Sequence, residues 1–461
     1  MKIGLLPLGR ATFDVEFAGD RLAAMLARLD ATGHEIAGPR ALLTDPGATD
    51  AAIADLAAAG VDRLLVLQVT FTDAAATVAA ARAVGAPVAI WAVPEPRLGG
   101  RLRLNAFCGL NLAAHALGLN EIAFGWLYAD PDAGGLAPDL AELLAGGRLA
   151  GRLDGTPPGA ASPEGRALAD RLKGKRIARI GAHPDGFDTC RYDPDAMHAL
   201  AGVSVEALDL DGLFDAARAA DPMAVAAMRA EAGAVVSGLD AVDQPQLDRS
   251  LRIGVGLRNL SKAEGYDAFA IRCWPEAFTE YGGAVCGPAA MLGEGRVPCA
   301  CEADVMGALT QLLLLEVADA PVFLTDLVDM DPADDTGVVW HCGQAPASMR
   351  DAQAPAEATI HTNRRMPLLF QFPLRPGPVT FLRLSQAFGQ VKMVLGRGEM
   401  LRRPAAFTGT SGVVRFAGGT AATLGRIMAA GLEHHMALAY GDHRARLRDV
   451  AAALSLPVLE I

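Results

Sequence analysis

Glu276 closes the stretch Arg272-Cys-Trp-Pro-Glu276, and Asp304 closes Cys301-Glu-Ala-Asp304 just ahead of an apolar run, so each carboxylate stands at the boundary of a buried element. The pair His434-His435 follows near the C-terminus. Two carboxylates and an imidazole suit a divalent cation with open positions for a substrate's oxygens. Each acid also has a plainer use: Glu276 as a helix cap or salt-bridged surface group, Asp304 as the cap of the helix that follows. Glu302 crowds Asp304 beside a thiol, and a cation would relieve that crowding. If the histidine segment is extended, only one of the two rings faces inward, because neighbours on a strand point to opposite faces.

Other candidates surround these. His341 ends a short apolar run beside Trp340, where it either bonds a substrate hydroxyl or packs. Asp326 and Asp329 flank a strand end, as acids behind a site or as turn caps. Arg364, Arg365 and Arg383 are solvated charges or binders of an acidic substituent. No Gly-x-Ser-x-Gly nucleophile elbow and no Gly-Lys-Ser/Thr phosphate loop occurs.

The elements that must position these groups follow an alternating pattern. Apolar runs at 3–6, 64–69, 88–93 and 122–127 are separated by Ala-rich helical stretches, which predicts a parallel sheet covered on both faces. Residues 151–174, rich in Gly, Pro, Ala and Ser, read as a linker. A second α/β alternation runs from 176 and ends one strand, 269–273, on the Trp-Pro-Glu motif. Beyond about 330 short strands between Gly and Pro turns predict a small antiparallel, barrel-like unit. Three domains result: 1–174, 175–330 with the carboxylates, and 331–461 with the histidines.

The chain has 461 residues, 51% hydrophobic and 20% charged, which fits a globular protein of more than one domain. A net charge of −12 with no basic run argues against a nucleic-acid partner. No apolar stretch is long enough to span a bilayer, and the start lacks signal-peptide character, so a cytoplasmic setting is expected. The seven cysteines are scattered and read as buried thiols.

Ordered motifs along nearly the whole chain resemble the L-fucose/L-arabinose isomerase superfamily. They are Gly4-Leu-Leu-Pro-Leu-Gly-Arg10-Ala-Thr-Phe-Asp14, Gln68-Val-Thr-Phe-Thr-Asp73, Asn105-Ala-Phe-Cys108-Gly, His183-Pro-Asp-Gly-Phe-Asp-Thr-Cys190, Cys301-Glu-Ala-Asp304 with Gly307-Ala-Leu-Thr310, Trp340-His-Cys-Gly343, Pro376-Gly-Pro-Val-Thr380 and Glu433-His-His435. The resemblance implies two Rossmann-like α/β domains plus the β-rich C-terminal domain, and a homo-oligomer, a hexamer, with active sites between subunits. It also implies aldose–ketose isomerisation on Mn²⁺, with Mg²⁺ or Co²⁺ as substitutes. The family's Glu, Asp and His ligands fall by motif on Glu276, Asp304 and His435, the two acids also carrying the proton. Substrate contacts are then expected from Arg10, Asn105, Trp274, Asp329, His341, Arg364 and His434. Asp329 stands where arabinose isomerases carry a further His, and the chain is shorter than fucose isomerases. The sugar therefore stays open among hexoses, deoxyhexoses, pentoses and sulfonated hexoses such as sulfoquinovose. A sugar-binding protein without catalysis and a metal-dependent aldolase are the alternatives.

Overall fold

A computed structural model describes residues 1–461. The first sheet contains β1 (Lys2–Leu8), β2 (Glu35–Ala37), β3 (Arg63–Gln68), β4 (Val88–Ala92) and β5 (Phe124–Tyr128), all parallel, in the order β2-β1-β3-β4-β5. Central strands such as Leu64–Leu67 are apolar at consecutive positions because helices cover both faces. Strand order reverses between β1 and β3, and the loops after these two strands carry Arg10 and Asp73. Ligands of open α/β sheets bind at such a reversal, beyond the carboxyl ends of the strands.

The segment expected as a linker is partly ordered. Ser162 caps a helix, Pro163–Asp170, by accepting from Gly165 N, and Pro163 occupies the first helical turn where no N–H is needed. A second parallel sheet follows: β6 (Arg176–Ile180), β7 (Ser204–Leu208), β8 (Ala268–Ile271) and β9 (Cys299–Cys301), in the order β7-β6-β8-β9.

The third sheet holds β10 (Phe323–Asp331), β11 (Thr336–His341), β12 (Glu357–Thr359), β13 (Leu369–Pro373), β14 (Gly377–Ser385), β15 (Lys392–Leu401), β16 (Thr410–Phe416), β17 (His435–Tyr440) and β18 (Val458–Glu460). It begins at Phe323, inside the range that the sequence assigned to the second unit. It is also mixed rather than antiparallel, since β13 pairs parallel with β16 and β18 with β15. An added β15–β16 pairing returns the sheet on itself, but pairing is long between β14 and β15 and short elsewhere. The ring is uneven, and a regular barrel is not what forms.

Two helices join the layers. Ala106–Leu119 is buried along nearly its whole length and packs against β10, and Val305–Ala318 is largely apolar, buried but for its last turn, and packs against β8, β14 and β17. Helices without a polar face belong inside a protein. Both helix starts, at Asn105 and Asp304, are thereby carried to the junction of the three sheets.

Candidate active site

A cleft opens at this junction, lined by apolar and aromatic side chains with a few converging polar groups, the make-up of a small-molecule site. Six of the expected substrate contacts line it: Arg10, Asn105, Trp274, His341, Arg364 and His434. Glu302 and Asp326 join them, as do His361 and Asn363.

The inner end is a cluster around His435. Its Nδ1 lies 2.9 Å from Asp304 Oδ2, and its Nε2 lies 3.4 Å from Asp326 Oδ1 and 3.8 Å from Glu302 Oε2. Burial works against the charge on Asp304, but the Arg383 guanidinium and the His435 contact outweigh it and hold the carboxyl well below the usual range. An ionised carboxylate only accepts, so Nδ1 of His435 donates in this contact, and Nε2 faces the two acids.

Asp304 itself is fully engaged. Oδ1 accepts from Gly307 N at 2.8 Å, which caps the helix, and from Arg383 Nη2 at 3.2 Å; Oδ2 accepts from Arg383 Nη1 at 2.6 Å. It does not face the cleft. Glu276 is not brought to the cluster either: its Oε2 accepts from Arg272 Nε at 2.7 Å, and that bond is what lowers its pKa. With Glu280 it lines a separate depression by Leu208 and Asp209. The physical reason is local: Trp274 faces the cleft, and two residues later the chain enters the short helix Ala277–Tyr281, which turns Glu276 away from it. Asp329 also lies outside the cleft. It accepts from Tyr128 Oη at 2.6 Å and Arg97 Nε at 2.5 Å, tying β10 to the first α/β unit.

Glu302 and Asp326 are the two acids that line the cleft. Glu302 directly follows β9, and both it and Ala303 adopt left-handed backbone (φ 61° and 54°), a conformation uncommon for non-glycine residues that here turns the chain into the next helix. Its Oε2 lies 2.9 Å from His434 Nε2, and its Oε1 accepts from Trp274 Nε1 at 3.1 Å. Burial alone would raise its pKa, but His434 and His435 bring it down to about 2. Asp326 has no such donors. Burial, partly offset by His435 and reinforced by Glu302, pushes it up to about 7.

Four buried atoms of the cleft have no hydrogen-bond partner: Asn105 Oδ1, Asp326 Oδ1, His341 Nε2 and His434 Nδ1. Orphaned buried polar atoms are costly and call for a missing partner. Three groups lie close enough together to share an ion: Asp326, His341 and His435; Glu302, His434 and His435; and, behind the cleft, Cys190, Asp304 and His435. Burial keeps His341 neutral, and because its Nδ1 accepts from Cys342 N at 2.8 Å, its Nε2 carries the proton and can donate to a substrate oxygen. Oxygen and imidazole donors of this kind fit a divalent first-row cation.

The outer end is basic. The Arg10 and Arg364 guanidinium carbons lie 5.4 and 5.6 Å from the Trp274 ring centre. Asn105 (φ 50°) is held by the buried Glu95, which accepts from the backbone N–H groups of Arg103, Leu104 and Asn105.

Two family models match the chain: "Fucose/sulfoquinovose isomerase, N-terminal domain" over residues 4–153 and "L-fucose isomerase, C-terminal domain" over residues 339–461. The chain belongs to the fucose isomerase-like family of aldose–ketose isomerases. A sulfoquinovose isomerase of Alkalicoccus urumqiensis is 29% identical over 458 residues, 99% of this chain and 98% of that protein. Sulfoquinovose isomerases of Priestia aryabhattai (98% of this chain, 97% of that protein) and Clostridium sp. (strain MSTE9) (99% and 98%) are each 28% identical. These family members are similar from end to end, so the cleft's two ends both lie within the shared chain.

Proposed function

We propose that this protein is a divalent-cation-dependent aldose–ketose isomerase whose substrate is a hexose sulfonated at C6, sulfoquinovose being the candidate its relatives' names suggest. The observation that carries the isomerase reading is His435 Nε2, turned by Asp304 toward two buried carboxylates, one of them with an orphaned oxygen. In this reading Glu302, Asp326 and His435 hold Mn²⁺, with Mg²⁺ or Co²⁺ as substitutes. The ligand and proton-carrying roles expected of Glu276 and Asp304 pass to Glu302 and Asp326. When bound, the cation supplies Lewis-acid polarisation of neighbouring sugar oxygens.

The chain's own groups do the rest. Two acids in one site with pKa values pushed apart divide the work of acid and base. Asp326 takes the proton from C2 of the open-chain aldose and returns it to C1 through an enediolate. Glu302, kept ionised by His434, holds its place against Trp274. His341 and Asn105 meet sugar hydroxyls. Trp274 spans the cleft, with its indole N–H on Glu302 and its ring beside Arg10 and Arg364, so the carbonyl end points inward and the sulfonate outward. The family's oligomer belongs to this reading, and light scattering tests it.

The test is turnover of sulfoquinovose in D₂O with added Mn²⁺. The expected result is the 2-ketose carrying deuterium at C1 and loss of the reaction on chelation. Cleavage of the carbon chain, or undiminished turnover after complete metal removal, overturns the reading.

A further inference from the structure

We propose that Asp73, acting through Arg10, fixes the charge of the cleft's outer end so that it accepts a singly charged sulfonate and refuses a doubly charged phosphate. This rests on the reading of the cleft as a sugar site with its anion outward.

Arg10 and Asp73 lie at the strand-order reversal of the first sheet, after β1 and β3. Arg10 Nη2 is 2.8 Å from Asp73 Oδ2. Arg364, on the loop between β12 and β13, has no carboxylate partner, and burial together with the facing Arg10 pushes its pKa down. Two guanidiniums and one carboxylate leave one unmatched positive charge. No other charged side chain lines the cleft beside Arg10 and Arg364 at this end. Arg101 donates to Thr12 O and Asn363 Oδ1, joining the loops that carry Arg10 and Arg364, and lies outside the lining; Arg103 is paired with Asp14; burial holds His361 neutral. Glu302 is at the opposite edge of Trp274, with the cation cluster.

A tetrahedral sulfonate and a tetrahedral phosphate offer the same oxygens to a guanidinium. They differ in charge. The cost of withdrawing an ion from water grows as the square of its charge, whereas attraction to a site of fixed charge grows only linearly. A monoanion is matched by the unpaired Arg364; a dianion leaves one charge uncompensated. Sugar 6-phosphates, with a second ionisation near pH ~6, are dianions at neutral pH. Asp73 therefore acts as a positioning and charge-setting residue rather than one that touches the sugar.

The test uses sugar alcohols, which bind but cannot isomerise: 6-deoxy-6-sulfoglucitol, glucitol 6-phosphate and uncharged glucitol as the reference, by calorimetry on the metal-loaded protein. In the wild type the sulfonate is expected to keep a constant advantage of about 10–100-fold over glucitol from about pH 5 to 8. The phosphate should match it near pH 5 and fall at least about tenfold behind by pH 8, as its second proton leaves. Asp73→Asn, which keeps the shape and the acceptor for Ala75 N, should abolish that fall. Phosphate binding to the wild type as tightly as sulfonate at pH 8 overturns the proposal, as does an unchanged ratio in a folded Asp73→Asn. If that variant does not fold, the wild-type pH profile alone decides. A sulfonate with no advantage over glucitol overturns the anion end itself, while the isomerase reading stands or falls separately on deuterium incorporation.

Discussion

Nδ1 of His435 lies 2.9 Å from Oδ2 of Asp304, and this contact leaves Nε2 aimed at Asp326 and Glu302. A ring so held is a better ligand, because its tautomer and orientation are set before the cation arrives. Asp304→Asn should weaken cation affinity by about 10–100-fold, measured by competition with a chelator, with turnover recovering at high Mn²⁺.

Glu302→Gln and Asp326→Asn should each lower kcat by about 10²–10⁴-fold. Glu276→Gln should retain wild-type cation content and turnover, because Glu276 faces a different depression. Metal analysis and steady-state kinetics on the three variants check this. An inactive, cation-free Glu276→Gln would return the ligand role to that residue.

Cation uptake should depend on pH around 7. Asp326 is raised to about 7 by burial, and a ligating carboxylate must first lose its proton. Below that pH uptake should weaken and release close to one proton per ion, read by calorimetry in two buffers. For the cation-free protein the sign follows from linkage. A folded pKa above the ordinary 3.8 means the native state holds the proton more tightly, so Asp326 favours folding at low pH and this contribution is lost as pH rises toward 7. Bound cation reverses that loss, so Mn²⁺ should raise Tm more at pH 8 than at pH 6.

Arg383 and Asp304 are both fully buried, and removing one partner leaves the other charge without compensation. Arg383→Met should cost about 3–5 kcal/mol of stability, seen in urea unfolding. Tyr128→Phe, which deletes one donor to the buried Asp329, should cost only about 1–3 kcal/mol and leave cation content unchanged.

The alternation of apolar runs with Ala-rich helices was enough to read both parallel sheets, because strands buried on two faces are apolar at every position. The third sheet was legible strand by strand but not in its pairing, since parallel partners such as β13 and β16 are set by tertiary contacts. In the cleft, His341 was legible from its position at a strand end, whereas Trp274 and His434 were expected there only through the family resemblance. The acids were harder. Asp304 and Glu302 lie two residues apart, and only the fold shows that Asp304 is spent on a helix start, Arg383 and His435. Asp326 sits inside a strand, where an acid facing inward was itself the signal. Glu276 follows a proline at a strand end, the pattern expected of a site residue, yet a neighbouring arginine one helical turn earlier claims it.

The ordered connector between the first two units has a last consequence. Leu153 N donates to Ala429 O, Thr156 pairs with Val458, and Ser162 is bonded to Asp449. A protease cut within 151–160 should therefore nick the molecule without separating it, both fragments eluting together until denaturant is added. Excising β18 should instead free the connector and make the same stretch a fast cleavage site.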